Sequence, residues 1–165
     1  MPNQLKTKMG ENNECFTPKW VFDALDIQFD LDVAAPLNYG QSNQIGMFEP
    51  QTDKLNVTNV PAKHKYTIVD NGLHQPWFGN VWMNPPFSDP TPWVHKFMQH
   101  ANGIALLPTS TGKWQIELWN DNRNVWVMLP SIRFEGYKTV LPTRCYLVSY
   151  GERNAMALNK LGITR

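Results

Sequence analysis

The chain has 165 residues, 42% hydrophobic and 12% aromatic, with 15 basic and 14 acidic side chains and a net charge of +1. That length and apolar content suit one domain able to bury a core without a staple, and they exclude a disordered chain. No apolar run approaches the roughly 20 residues of a membrane span, the polar start Met1-Pro2-Asn3 is no signal peptide, and Cys15 and Cys145 make neither a disulfide framework nor a CxxC zinc pair. A cytoplasmic protein with no membrane partner and no metal is expected.

Thr17-Pro18 opens a helix through Lys19–Leu25, with Thr17 as cap and Pro18 at the first helical position. Ile27, Phe29, Leu31 and Val33 alternate with Gln28, Asp30 and Asp32, which predicts a strand stopped at Ala34-Ala35-Pro36. Residues 37–60 read as a long functional loop with a short strand near Ile45–Phe48. Strands are predicted for Lys65–Asp70, ending at Asn71-Gly72, and for Asn80–Asn84, ending at Pro85-Pro86. Thr91-Pro92 opens a second capped helix to about Ala101, and the continuous apolar run Gly103–Pro108 predicts a buried strand. A short helix over Lys113–Asn120 and a buried strand over Val125–Leu129 follow. A strand pair, Ser131–Phe134 with Arg144–Tyr150, and a helix over Asn154–Leu161 complete the chain. Strands alternating with helices predict an α/β sandwich with a mostly parallel sheet, and the close strand pair at the end predicts an antiparallel C-terminal edge.

Charge is unevenly spread. From Arg123 onward there are seven basic and two acidic residues, a net +5, against eight basic and twelve acidic before it, a net −4. A basic C-terminal third suits a phosphate-facing surface, with an ordinary solvated face as the alternative.

The most informative stretch is Asn84-Pro85-Pro86-Phe87. Asn84 and Pro85 both precede a proline, which pushes them to extended geometry, so the turn after the strand is stiff. It offers two acceptors, the Asn84 side-chain oxygen and the Pro85 carbonyl, followed by the flat face of Phe87. Two acceptors beside an aromatic ring suit an NH2 group on a conjugated ring. Its lone pair is delocalised, and gripping both hydrogens favours the pyramidal, nucleophilic form. Such a base must first leave its stack, at a few kcal/mol, and stacking on an aromatic ring returns roughly 1–3 kcal/mol. The alternative is a plain strand stop followed by a core Phe.

With these residues in place, the chain resembles the phage-type DNA N6-adenine methyltransferases, relatives of the amino-methyltransferases with an (Asp/Asn/Ser)-Pro-Pro-(Tyr/Phe/Trp) motif. The matching segments run in family order over about residues 14–150. They are Phe16-Thr17-Pro18, Leu31-Asp32-Val33-Ala34-Ala35, Asp70-Asn71-Gly72-Leu73 with Trp77, Val81–Phe87, Trp93-Val94-x-Lys96, Leu106-Leu107-Pro108, Trp114 and Ile132–Gly136. The resemblance implies a Rossmann-like class I methyltransferase fold. It implies S-adenosylmethionine as cofactor, and double-stranded DNA with a flipped adenine as substrate. Asn84, Pro85, Pro86 and Phe87 would hold the target base; Phe16, Thr17, Pro18, Asp32, Ala34, Ala35 and Asp70 would bind the cofactor. A phage or prophage origin, with action in the bacterial cytoplasm, is implied only by the resemblance. Asp32-Val33-Ala34-Ala35-Pro36 departs from the glycine-rich loop of many methyltransferases, and Glu49 is the candidate for the cofactor ribose.

Each residue also has a plain reading. Thr17-Pro18 suits a helix cap, Asp32 a solvated strand residue alternating with Asp30, and Asp70-Asn71-Gly72 a turn. Trp77, Trp82 and Trp93 suit the core. His64, His74, His95 and His100 show no metal spacing, and no phosphate loop or nucleophile elbow is present. Arg133 and Lys138 are candidates for phosphate contact. Loops 37–60 and 109–123 are the expected readers of flanking sequence. The rival readings are a methyltransferase for RNA or for a glutamine side-chain amide, and an inactive binding module of the same fold.

Overall fold

The computed structural model describes residues 16–36, 59–134 and 143–161. The elements run α1 (Lys19–Leu25), β1 (Phe29–Asp32), β2 (Ala62–Lys65), β3 (Val81–Met83), α2 (Thr91–His100), β4 (Gly103–Pro108), α3 (Lys113–Asn120), β5 (Asn124–Met128), β6 (Cys145–Tyr150) and α4 (Glu152–Asn159). The six strands form one sheet in the order β2-β1-β3-β4-β6-β5. β2, β1, β3 and β4 are parallel; β6 runs antiparallel between β4 and β5. This mixed α/β architecture with a mostly parallel sheet is consistent with a Rossmann-like fold.

Two apolar layers sandwich the sheet. On one face Val21, Phe22 and Leu25 of α1 and Ala157 and Leu158 of α4 pack on Phe29, Trp82, Ile104, Leu106 and Leu147. On the other, Val94 and Phe97 of α2 and Trp114 and Leu118 of α3 pack on Leu31, Val81, Met83, Ala105 and Val148. Leu106 and Leu107 of β4 point to opposite faces, as a strand's period of two requires. β4 is buried at every position because it has strands on both sides and helices on both faces.

Several sequence expectations are corrected. The strand expected at Lys65–Asp70 is Ala62–Lys65; its ladder ends as the Tyr66 N–H donates to the Asp32 carbonyl and the Ala35 N–H to the Tyr66 carbonyl. Beyond it the Asp70 carboxylate accepts from the Thr67 N–H (2.7 Å) and hydroxyl (2.8 Å), closing a turn that competes with extended pairing and leaves Ile68 and Val69 75% and 76% exposed. Ser131–Phe134 is no strand, because both edges of β6 are already taken by β4 and β5; Ile132 and Phe134 still reach the core. The strand expected to be buried at Val125–Leu129 is Asn124–Met128, at the edge of the sheet, with Met128 exposed.

Neither threonine caps its helix. Pro18 and Pro90 occupy the N-cap positions of α1 and α2, with no side-chain capping bond. α4 starts two residues earlier than expected, because Asn154 is buried with its amide donating to the Asn80 side chain and the Tyr150 carbonyl, both at 2.7 Å. The predicted strand near Ile45–Phe48, Glu49, Lys138 and most of loop 37–60 lie outside the described residues.

Candidate active site

β1 is flanked by β2 on one side and β3 on the other, so the chain reverses its direction of travel across the sheet between β1 and β3. In open α/β sheets the crevice outside the carboxyl ends at such a switch point is where ligands bind. The carboxyl ends that meet here carry Asp32 and Asn84. Asp32 pairs in register with Trp82, and the Val33 N–H donates to the Trp82 carbonyl at 3.1 Å.

A cavity of about 140 Å³ opens at that point, walled by Ala34, Ala35 and Pro36 after β1, Thr67, Ile68, Asn71 and Gly72 after β2, Asn84 and Pro86 after β3, and Trp93 on α2. Most of its wall is apolar, with a few amide and hydroxyl groups. That is the usual make-up of a small-molecule site. Of the residues the sequence singled out, Ala34, Ala35, Asn84 and Pro86 share this cavity. Pro85 is buried in the turn between them.

Phe87 lies on the other side of the turn. It is half-buried against the core layer under α1 and α4, edge-on to Phe134 with ring centroids 6.1 Å apart. The Asn-Pro-Pro-Phe turn therefore has two faces, one toward the cavity and one toward an aromatic pair.

Thr17 is 5% exposed, and its hydroxyl accepts from the Asn84 side-chain N–H at 3.2 Å. The hydroxyl expected to cap α1 thus meets the acceptor turn instead. Phe16 is half-buried and Pro18 buried beside it.

The two aspartates of β1 part company. Asp30 is half-exposed; the Asn80 backbone N–H and the Lys63 ammonium hold its carboxyl below the usual carboxylate range. Asp32 is 2% exposed; its carboxyl accepts from the Ala34 N–H (3.2 Å), and burial pushes it up to about 7. A solvated Asp32 is ruled out. Asp70 is exposed, and its carboxyl, held below the usual range by the Thr67 N–H and hydroxyl, braces the turn rather than walling the cavity.

The turn after β2 is built to sit close. A Cβ on Gly72 would meet the Val33 carbonyl oxygen at 2.1 Å, so only glycine lets this turn approach β1. α2 secures it from outside: Lys96 donates to the carbonyls of Leu73 (2.7 Å) and Gln75, and the Trp77 indole N–H donates to the Gly72 carbonyl at 2.8 Å while its ring stacks on Trp93. Trp82 alone of the three tryptophans is wholly core. Thr67 and Ile68 were hidden inside a predicted strand. The signal that finds them is Thr67-x-x-Asp70, a Ser/Thr-x-x-acid pattern of the kind that closes a turn on its own backbone.

The cations of the C-terminal third are split. Because β6 is antiparallel, Arg144 at its start lies at the same end of the sheet as Asn84, with its carbonyl accepting from the Thr109 N–H at 2.8 Å. Exposed Arg133, after β5, flanks the same end by chain position, as does exposed Lys113, from the preceding part of the chain, at the start of α3. Arg123 and Arg153 lie at the opposite end, next to Tyr150 and the start of α4; Arg123 is tied up by Asp121. Among the described residues no group of three His, Cys, Asp or Glu could hold a metal ion, and no helix is long and apolar enough to cross a membrane.

Over 125 residues the chain is 28% identical to a protein of Haemophilus phage HP1 (strain HP1c1) named DNA N-6-adenine-methyltransferase. The match covers 69% of this chain and 61% of that protein, so the chain spans about three fifths of its relative's length. No family model and no solved structure matches the chain.

Proposed function

We propose that the chain is a site-specific DNA adenine methyltransferase of the phage type, which moves a methyl group from S-adenosylmethionine to adenine N6. The observation that carries this reading is the Asn84-Pro85-Pro86-Phe87 turn at the end of β3, one face on the switch-point cavity and the other on an aromatic pair. The distant likeness to a DNA N-6-adenine-methyltransferase agrees with it.

The residues present fit the cofactor. Ala34, Ala35, Pro36, Ile68 and Trp93 offer apolar walls for a nucleoside, and Asn71 and Thr67 offer polar edges. When bound, S-adenosylmethionine supplies an electrophilic methyl on a sulfonium, whose sulfur keeps the bonding pair and becomes a neutral thioether. The chain's own task is on the acceptor side. Phe87 stacks the flipped base, and the Asn84 side-chain oxygen and Pro85 carbonyl accept from the two N6 hydrogens. Holding those hydrogens localises the N6 lone pair for in-line attack. The new N–C bond leaves a cationic amine, which releases one proton to solvent. Arg144, Arg133 and Lys113 lie where they meet the DNA backbone, as positioning contacts without sequence content.

The test is transfer of label from S-adenosylmethionine to unmethylated duplex DNA, followed by nucleoside analysis. Label in N6-methyladenine is the expected result. Label only in RNA or in glutamine amides overturns the DNA assignment, and no label with no cofactor binding overturns the enzyme.

A further inference from the structure

We infer that Thr17 is a positioning residue for Asn84: its hydroxyl orients the carboxamide so that the amide oxygen faces the acceptor amine. This rests on the function proposed above. Thr17 and Asn84 are 67 positions apart, yet their side chains meet at 3.2 Å in a partly buried setting. An asparagine carboxamide turns easily about its last torsion, and its two ends present opposite hydrogen-bonding groups. The Asn84 NH2 end donates to the Thr17 hydroxyl, and this turns the amide oxygen away from Thr17.

Thr17 is itself held still. Its side chain is 5% exposed, its carbonyl accepts from the Asn59 side-chain N–H at 3.1 Å, and the following Pro18 fixes the chain at the α1 N-cap with φ −66°. The α1 N-terminus has no side-chain cap, so the hydroxyl is not drawn into the helix. Thr17 is absent from the cavity wall, whereas Asn84 is part of it. The hydroxyl thus reaches the cavity through Asn84, and titration with the cofactor separates this role from a direct cofactor contact.

The experiment compares Thr17→Val, which keeps the shape and removes the hydroxyl, with Thr17→Ser, which keeps it. Each is measured for kcat on DNA, for the dissociation constant of S-adenosylmethionine by direct titration, and for the Asn84 side-chain NH2 signals by NMR. We expect Thr17→Val to lower kcat about tenfold or more, the effect of a lost buried hydrogen bond. Cofactor affinity stays within about twofold, the Asn84 NH2 signals move, and Thr17→Ser recovers most of the loss. Wild-type kcat in Thr17→Val overturns the inference. So does an equal loss of cofactor affinity that Thr17→Ser does not recover, which makes Thr17 a cofactor contact. If Thr17→Val does not fold, Thr17→Ser against Thr17→Cys decides in the same way, because a thiol fills the space but accepts weakly. Absence of transfer by the wild type is the separate failure of the proposed activity; the NMR arm still reads the Thr17–Asn84 contact in that case.

Discussion

Gly72 stands so close to Val33 that a Cβ there would lie 2.1 Å from the Val33 carbonyl oxygen. Asp32-Val33-Ala34-Ala35-Pro36 at the end of β1 carries no glycine, and the close backbone approach is made from the other side, by the turn after β2. Gly72→Ala is therefore expected to push that turn outward and to cost about 1–3 kcal/mol, the usual range for overpacking. A lower Tm together with weaker binding of S-adenosylmethionine is the predicted pair of results. An unchanged Tm and affinity would show that the turn yields freely.

Asn84→Ala removes the side-chain acceptor while leaving Ala34, Ala35, Ile68 and Trp93 in the cavity wall. Turnover should fall below detection, with cofactor binding within a few-fold of wild type by titration. Retained turnover would remove Asn84 from the chemistry.

Phe87 sets an edge on Phe134, and in the proposed function its face also stacks the base. Phe87→Ala should lower both kcat/KM and Tm, since stacking and half-buried packing are lost together. Phe87→Tyr keeps the ring and should hold most of the activity. Equal loss of activity in both variants would argue against stacking.

The raised pKa of Asp32 makes stability depend on pH. Burial favours its neutral form, with a folded value of about 7 against an ordinary 3.8. Below pH 4 the group is protonated in both states and burial carries no penalty from its charge. As pH rises toward 7, the unfolded chain ionises more readily than the folded one, so this contribution is lost; above 7 it stays lost. Asp32→Asn cannot ionise. The Tm of the wild type relative to Asp32→Asn, without cofactor, should thus fall between about pH 4 and 7. Parallel Tm curves over that window would contradict a buried, proton-binding Asp32.

Sequence reading reached the parts governed by local rules. Gly103–Pro108 and Lys113–Asn120 were legible residue for residue, because a continuous apolar run and a helical spacing of Trp114 and Leu118 leave little choice. The Asn84-Pro85-Pro86-Phe87 turn was legible too, since two consecutive prolines dictate backbone geometry wherever they occur. The mostly parallel sheet followed from the alternation of elements, but the antiparallel strand is β6 between β4 and β5, not the expected pair with Ser131–Phe134.

What remained hidden depended on which segments meet. Thr17 reads as a helix cap until the fold brings Asn84 to it. Asp30 and Asp32 are two positions apart on one strand, and only the neighbouring β2 and β3 and the layers above them decide that one is solvated and the other buried. Ser131–Phe134 has a strand's alternation, but a strand needs a vacant edge, and β6 had none left. Composition and period act over a few residues and determine local conformation. Burial, pairing and the company a side chain keeps are set by distant segments competing for the same space, and those only the tertiary structure decides.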